Sequence, residues 1–182
     1  MNDFIKPFVV KKEITLYISY FYQIRNMTPN MLPISTAMWD PKWFHDGKGN
    51  NYKYIDKNGV INGVRMENLT MPFSKWDELV KRNESCICCG TNNNFFNFGM
   101  CPFMQEYGKS IRTNNPDFQK FLDSCARYLE FLEKRFNLCL DTIVFIVYED
   151  PSRICGERPM LQQWFVENGM GLKEWTSDAI YK

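Results

Sequence analysis

The chain has 182 residues, of which 45% are hydrophobic and 24% are charged, and 22 basic against 21 acidic side chains give a formal net charge of +1. This size and composition suit one folded domain, and the near-neutral charge argues against duplex nucleic acid as a partner, because such binding draws its affinity from many phosphate contacts. No apolar run has the length of a membrane span and residues 1–12 lack the apolar core of a signal peptide, so we expect a cytoplasmic protein with no membrane partner.

The first third of the chain predicts two strands and a hairpin. Apolar residues alternate along Ile14–Tyr20, a pattern typical of a strand. A second, shorter strand is predicted at Leu32–Thr36. Two β-rich runs within residues 52–64 flank the dipeptide Asn58-Gly59, which predicts a hairpin closed by a type I′ turn.

The rest of the chain predicts helices around one buried strand. Ser74 is a candidate cap for a short helix, and Asn115 followed by Pro116 predicts the start of a long amphipathic one. The run Thr142–Tyr148 is continuously apolar or β-branched, as in a strand that is covered on both faces. Pro159 then predicts the beginning of a last helix.

This order of elements predicts the fold class. Strands that alternate with helices indicate an α/β core with a parallel sheet. We therefore expect a single α/β domain over residues 1–182, with a small hairpin and a cysteine-rich loop insertion at about residues 84–104.

Charged residues follow the buried strand at the end where α/β sheets bind ligands. Glu149 is a candidate general acid or base, and Arg158 is a candidate clamp for an anionic group, with Glu157 beside it. The structural alternative is that Arg158 pairs with Glu149, Asp150 or Glu157 and holds the loop.

Cys155 is a second candidate catalytic residue. A thiol close to a helix N-terminus and an arginine has its thiolate stabilised, which favours a nucleophile. The chain has a single histidine, His45, far away in sequence, so a base for this cysteine is not evident. Packing or metal ligation is the alternative role.

Polar and aromatic residues near the ends of the first two strands complete the predicted ligand site. Ser19 and Tyr20 are candidates for its polar wall, and Tyr148 ends the buried strand. Trp39 and Trp43 are candidates for a surface on which a planar group stacks. The alternative is that these rings cover the core.

The cysteine-rich segment predicts a structural zinc ion. Cys86 and Cys89 have the Cys-x2-Cys spacing with which two thiolates grip one zinc from a tight loop, and Cys101 is a third candidate ligand. The fourth ligand stays open, with Cys88, Cys155 and His45 as the candidates. Reduced thiols without metal are the alternative, since the seven cysteines lack a secretory context.

Short motifs at both ends of the chain resemble the DUF488 family of bacterial and phage proteins. They are Leu16–Phe21, Arg25, Pro33–Ser35, Pro41, Trp43, Val147–Glu149, Cys155, Arg158 and Trp164. The family's usual Cys-His-Arg is here Cys155-Gly-Glu-Arg158, so the histidine and any role it has as a base are absent. The resemblance implies a Rossmann-like fold, and no settled activity comes with it.

Two functions of different classes follow. The first is binding of a small anionic ligand of nucleotide or nucleoside type, with or without a reaction on it, at the ends of the strands. The second is a phage-type interaction protein that uses the fold and its zinc clip as a scaffold, with Phe95, Phe96 and Phe98 as anchors for a protein partner.

Overall fold

The protein is described by a computed structural model, which covers residues 13–81, 101–149, 151 and 156–177. Its strands are β1 (Thr15–Tyr20), β2 (Met31–Ser35), β3 (Tyr54–Ile55), β4 (Ile61–Asn62), β5 (Thr142–Val147) and β6 (Lys173–Glu174). Its α-helices are α1 (Phe73–Lys81), α2 (Pro102–Asn114), α3 (Phe118–Phe136) and α4 (Glu157–Glu167). Three short 3₁₀ helices span Phe21–Asn26, Lys42–His45 and Glu67–Leu69.

A four-stranded parallel sheet with the order β2-β5-β1-β6 forms the centre of the fold. Strand β5 lies between β1 and β2, and all six of its residues are buried. This position explains the continuous apolar run, because a central parallel strand is covered on both faces. The predicted Rossmann-like α/β fold is therefore confirmed.

The two faces of the sheet have different covers. Ile143, Phe145 and Val147 of β5 pack in the larger core, together with residues of all four α-helices. Val144 and Ile146 point to a smaller core that is closed by the first two 3₁₀ helices and by Trp175. Helices therefore cover one face of the sheet, and short loops and 3₁₀ turns cover the other.

The hairpin is present, but its predicted turn type is wrong. Strands β3 and β4 pair antiparallel, and within the turn only Gly59 has a positive φ, of 80°. The Asp56 carboxylate accepts hydrogen bonds from the backbone N–H groups of Asn58 and Val60. These bonds hold Asn58 at negative φ, so a single glycine in the left-handed region closes the turn.

Both predicted helix caps are also wrong. Helix α1 begins at Phe73, so Ser74 lies inside its first turn. Helix α3 begins at Phe118, and the cap is Asp117, whose side chain accepts the Lys120 N–H at 3.0 Å. Asn115 is instead the C-cap of α2, which ends at Asn114, and this leaves the N-cap of α3 to Asp117.

Helix α2 occupies residues that the sequence did not predict as helix. Cys101 is its N-cap and Pro102 is its first residue, a position where the missing N–H of proline costs nothing. Met104 is fully buried in the larger core. The end of the predicted insertion, residues 101–104, thus belongs to the folded core, and residues 84–100 lie outside the described part of the chain.

In the parts of the chain that the structure describes, no helix is both long enough and apolar enough to cross a membrane.

Candidate functional site

Loops that follow β1, β2, β5 and β6 meet at one edge of the sheet, because the four strands are parallel. This edge gathers seven charged or titratable side chains, which we call the carboxyl-edge cluster. Its members are Asp40, His45, Arg65, Glu149, Glu157, Arg158 and Glu174. Arg65 belongs to it because an isolated bridge joins Arg65 to Ser35 at the end of β2.

Asp40 is the most completely paired acid of the cluster. Its buried carboxylate accepts the Ser35 hydroxyl at 2.5 Å on Oδ1, and it meets His45 Nε2 at 2.5 Å and Arg65 at 2.6 Å on Oδ2. Burial alone lowers the pKa of Arg65, but the hydrogen bonds and charges of Asp40 and Glu67 together outweigh burial and leave that pKa raised. Asp40 therefore ties the loop after β2 to the hairpin.

His45 is held on both sides of its ring. Nε2 contacts Asp40, and Nδ1 lies 3.3 Å from the carbonyl oxygen of Tyr52. Gly63 packs directly against that carbonyl, since a Cβ on Gly63 would lie 1.9 Å from the Tyr52 oxygen. The single histidine of the chain thus stabilises the loop.

Glu157 is a buried acid of the cluster with unused hydrogen-bonding capacity. It is the first residue of α4, and only 3% of its surface is exposed. Within the described residues, the buried Oε2 of Glu157 has no hydrogen-bond partner. Burial, with the negative charge of Glu149 as the next cause, raises the pKa of Glu157 well above its ordinary value.

Glu149 lies directly beside the start of α4. Its carboxyl group occupies the space that a side chain on Gly156 would fill, because a Cβ there would be 2.6 Å from Glu149 Cδ. Gly156 has a φ of 133°, a backbone conformation that favours glycine. Glycine at the N-cap of α4 therefore brings the Glu149 carboxylate next to Glu157.

Tyr107 of α2 extends the cluster into the core. Its fully buried hydroxyl donates to the carbonyl oxygen of Leu69 at 2.8 Å. Burial, followed by the negative charge of Glu157, raises the pKa of Tyr107 well above its ordinary value. The phenol therefore stays neutral next to the acidic pair.

Arg158 has a structural partner that the sequence did not indicate. Its guanidinium forms a 2.6 Å ion pair with Glu174 of β6 and donates to the backbone oxygen of Glu149. This is the loop-holding alternative, with Glu174 as a partner that was not predicted. Among the described residues, the buried Nε of Arg158 has no hydrogen-bond partner and remains able to donate.

The other predicted ligand residues differ in how far they are buried. Ser19 is fully buried and donates to the backbone oxygen of Trp175 at 2.8 Å, so its hydroxyl already has a structural partner. Tyr20 is half-buried, and its ring centroid lies 5.8 Å from the Arg158 guanidinium. Trp39, Trp43 and Tyr148 are 50%, 48% and 64% exposed.

These exposed rings form two groups on the two sides of the sheet edge. Trp43 and Tyr148 both make edge contacts with Phe21, at centroid distances of 6.1 and 6.5 Å. Trp39 packs on Phe73 and Trp76 of α1, on the helical side. The acidic pair Glu149 and Glu157 belongs to the same edge.

Several predicted residues lie outside the described part of the chain. They are Cys86, Cys88, Cys89, Phe95, Phe96, Phe98, Asp150 and Cys155. Cys101 is described and is buried at the start of α2. In the ranges that the structure covers, no group of three or more His, Cys, Asp or Glu side chains is arranged to hold a metal ion.

Sequence reasoning missed Asp40, Arg65, Tyr107 and Glu174 as members of the site. Asp40 carried a weak signal, since it stands between Trp39 and Pro41 in a loop that follows a strand. Arg65 and Glu174 carried none, because their partners lie 25 and 16 residues away. Only the fold brings such partners together.

Comparisons with protein-family models, with curated proteins and with solved structures returned no match. The resemblance to the DUF488 family therefore remains a prediction from short motifs.

Proposed function

We propose that the protein binds a small ligand of nucleoside or nucleotide type across the carboxyl edge of its sheet. The observation that carries the proposal is the buried Glu157 carboxyl, whose Oε2 has no hydrogen-bond partner among the described residues. A buried polar atom without a partner costs free energy, so Oε2 has the capacity to accept a bond from a ligand or an ordered water. Open α/β sheets bind their ligands at this same edge.

The exposed rings of Trp43 and Tyr148, which we call the aromatic rim, suit the planar part of such a ligand. Trp43 and Tyr148 flank Phe21 and keep about half or more of their surfaces exposed. A base that stacks on these rings would direct its polar part over the edge toward Glu149 and Glu157. The unpaired Nε of Arg158 supports an anionic or carbonyl group near the end of β1.

The test is binding of a defined panel, namely the common ribonucleosides, deoxyribonucleosides and their 5′-monophosphates. We expect at least one member to raise the melting temperature of the wild-type protein and to give a measurable dissociation constant by calorimetry. Tyr148→Ala or Trp43→Ala should weaken this binding by about 1–3 kcal/mol, the usual contribution of a ring stacked on a base.

Phe131→Ala is the matched control. Phe131 is also an aromatic residue that is half-exposed, at 52%, but it lies in the second half of α3, toward the opposite edge of the sheet. This variant should bind like the wild type. The proposal fails if no panel member binds, or if the rim variants bind as tightly as Phe131→Ala.

A further inference from the structure

Stacked tyrosine rings continue the surface beyond the aromatic rim. The rings of Tyr20 and Tyr22 have centroids 6.3 Å apart and planes inclined by 9°, and we call them the first tyrosine pair. Tyr22 is 57% exposed, and the central carbon of the Arg25 guanidinium lies 3.4 Å from its ring centroid. Tyr20 directly precedes Phe21, the residue on which both rings of the rim pack. The first pair therefore begins one residue away from the support of the rim.

A second tyrosine pair is joined to the rim by a hydrogen bond. The rings of Tyr52 and Tyr54 are 6.3 Å apart and inclined by 20°, and Lys48 Nζ lies 4.5 Å from the Tyr52 ring centroid. The Tyr54 hydroxyl donates to the backbone oxygen of Trp43 at 2.8 Å. Lys42, which precedes Trp43, is exposed. The surface thus has three neighbouring aromatic groups, and a basic residue accompanies each of them.

The charges around these rings favour an anionic partner. Residues 21–59, which supply most of the three groups, contain five basic and three acidic residues. The three acids already have partners, since Asp40 is buried and ion-paired, Asp46 pairs with Lys48, and Asp56 accepts N–H groups of the hairpin turn. This segment is therefore positively charged, although the whole chain is nearly neutral.

From this arrangement we infer that the protein binds single-stranded nucleic acid, whose bases stack on the three aromatic groups while the basic side chains meet its phosphates. Exposed rings interleaved with basic side chains are how proteins bind single strands with little regard to sequence. The bases of a duplex are stacked inside it and do not reach such rings. Stacking supplies part of the affinity, so a nearly neutral protein with few phosphate contacts suits this partner.

The inference rests on the proposed function and names its ligand class. One base occupies the aromatic rim, which is the place proposed for the base of a nucleoside. Further bases of the same strand occupy the two tyrosine pairs. These pairs therefore contribute to the binding of an oligonucleotide and have no part in the binding of a single nucleotide.

The experiment compares ligands of different length on the full chain. The probes are thymidine 5′-monophosphate and a thymidylate octamer, which forms no duplex, and calorimetry measures the binding of each. We expect the octamer to bind about 20 times as tightly as the monophosphate, or more, because each further stacked base strengthens binding by about 5-fold or more.

Tyr22→Ala and Tyr52→Ala test the tyrosine pairs without touching the rim. Each should weaken binding of the octamer by about 5- to 100-fold and leave binding of the monophosphate unchanged. Both side chains are exposed, so the fold should persist, as circular dichroism would show. Trp43→Ala should weaken the binding of both ligands. Phe131→Ala, which removes a half-exposed ring from α3, should bind both like the wild type.

Salt dependence gives a readout for the basic side chains. Each phosphate of a single strand that a protein neutralises adds about −0.7 to the slope of log affinity against log salt concentration. Arg25→Ala and Lys42→Ala should therefore each make the slope for the octamer shallower by about 0.7. Lys134→Ala, which removes an exposed lysine from α3, should leave the slope unchanged.

The two proposals fail in different ways. An octamer that binds no more tightly than the monophosphate would overturn the inference and leave the proposed function standing. The same conclusion would follow if Tyr22→Ala and Tyr52→Ala bound the octamer like the wild type, or if Arg25→Ala and Lys42→Ala both kept the wild-type slope. Absence of binding by the octamer and by every member of the nucleoside and nucleotide panel would overturn both proposals.

Discussion

Two buried acids at the sheet edge have opposite environments. Asp40 has three donors around one carboxylate, from Ser35, His45 and Arg65. Within the described residues, the buried Oε2 of Glu157 has no donor. Asp40 is therefore a structural centre, since its bonds stabilise the loops, whereas Glu157 has capacity left for a ligand.

At the same scale, Gly63 has a conformation and a contact that only glycine permits. Its φ is 83°, and a Cβ would lie 1.9 Å from the Tyr52 carbonyl oxygen that faces His45. We expect Gly63→Ala to lower the free energy of unfolding by about 2–4 kcal/mol, through backbone strain and overpacking together. Urea denaturation followed by circular dichroism measures this loss.

Gly49→Ala separates the two causes. Gly49 also has a positive φ, of 93°, but nothing lies within 4 Å of a Cβ placed there. It should lose only the strain contribution, about 1 kcal/mol. Equal losses in the two variants would show that Tyr52 does not pack on Gly63 as described.

At the scale of elements, the junction between α2 and α3 depends on two polar residues with separate roles. Asn115 is buried, and its side-chain amide donates to the backbone oxygens of Asn68 and Ile111, at 3.0 and 2.9 Å. Asp117 caps α3 through Lys120. Asn115 joins the segment at Asn68 to the end of α2, whereas Asp117 accepts a backbone N–H at the start of α3.

These roles predict different losses of stability. Asn115→Ala should cost about 1–3 kcal/mol, because the side-chain hydrogen bonds that join Asn68 to the end of α2 are lost at a buried position. Asp117→Ala should cost about 1 kcal/mol, the usual value of an N-cap. Chemical denaturation of both variants measures the difference.

Asn114→Ala is the control for this pair. Asn114 is exposed, and its side chain makes one long bond of 3.4 Å to Ser110. Its loss should stay within about 0.5 kcal/mol. If Asp117→Ala proves much more costly than Asn115→Ala, the roles assigned to the two residues are reversed.

At the scale of the whole molecule, the predicted zinc ion would connect the cysteine-rich segment to the core. Cys101 starts α2 and is buried, so a metal bound there would anchor the segment to a fixed helix. We expect native mass spectra of protein purified without chelator to show one zinc ion per chain, absent from denaturing spectra. Cys101→Ser should lose this mass, whereas Cys139→Ser, which changes an exposed cysteine, should keep it.

A native mass without metal would contradict the zinc prediction. A native excess of a few hundred daltons would instead indicate a retained small ligand, which the proposed function expects.

Local sequence patterns were sufficient to predict an element wherever the structure of a segment depends mainly on its own residues. The buried run of β5, the apolar face of α3 and the start of α4 near Pro159 are all present as predicted. Burial of one face gives hydrophobic residues a regular spacing along the sequence. This spacing can be recognised without knowing which residues pack against that face. The α/β class followed from the order of these elements.

Contacts between distant segments depended on the tertiary structure. The pairs Asp40 with Arg65 and Arg158 with Glu174 join different loops and strands, and no pattern in the sequence links their members. The pKa of Glu157 is likewise raised by burial and by the charge of Glu149, which the fold places beside it. The spacing of hydrophobic residues is a local property of the chain. The electrostatic environment of a side chain depends instead on which groups the fold places near it. Only the folded structure therefore decided which charged groups form the site.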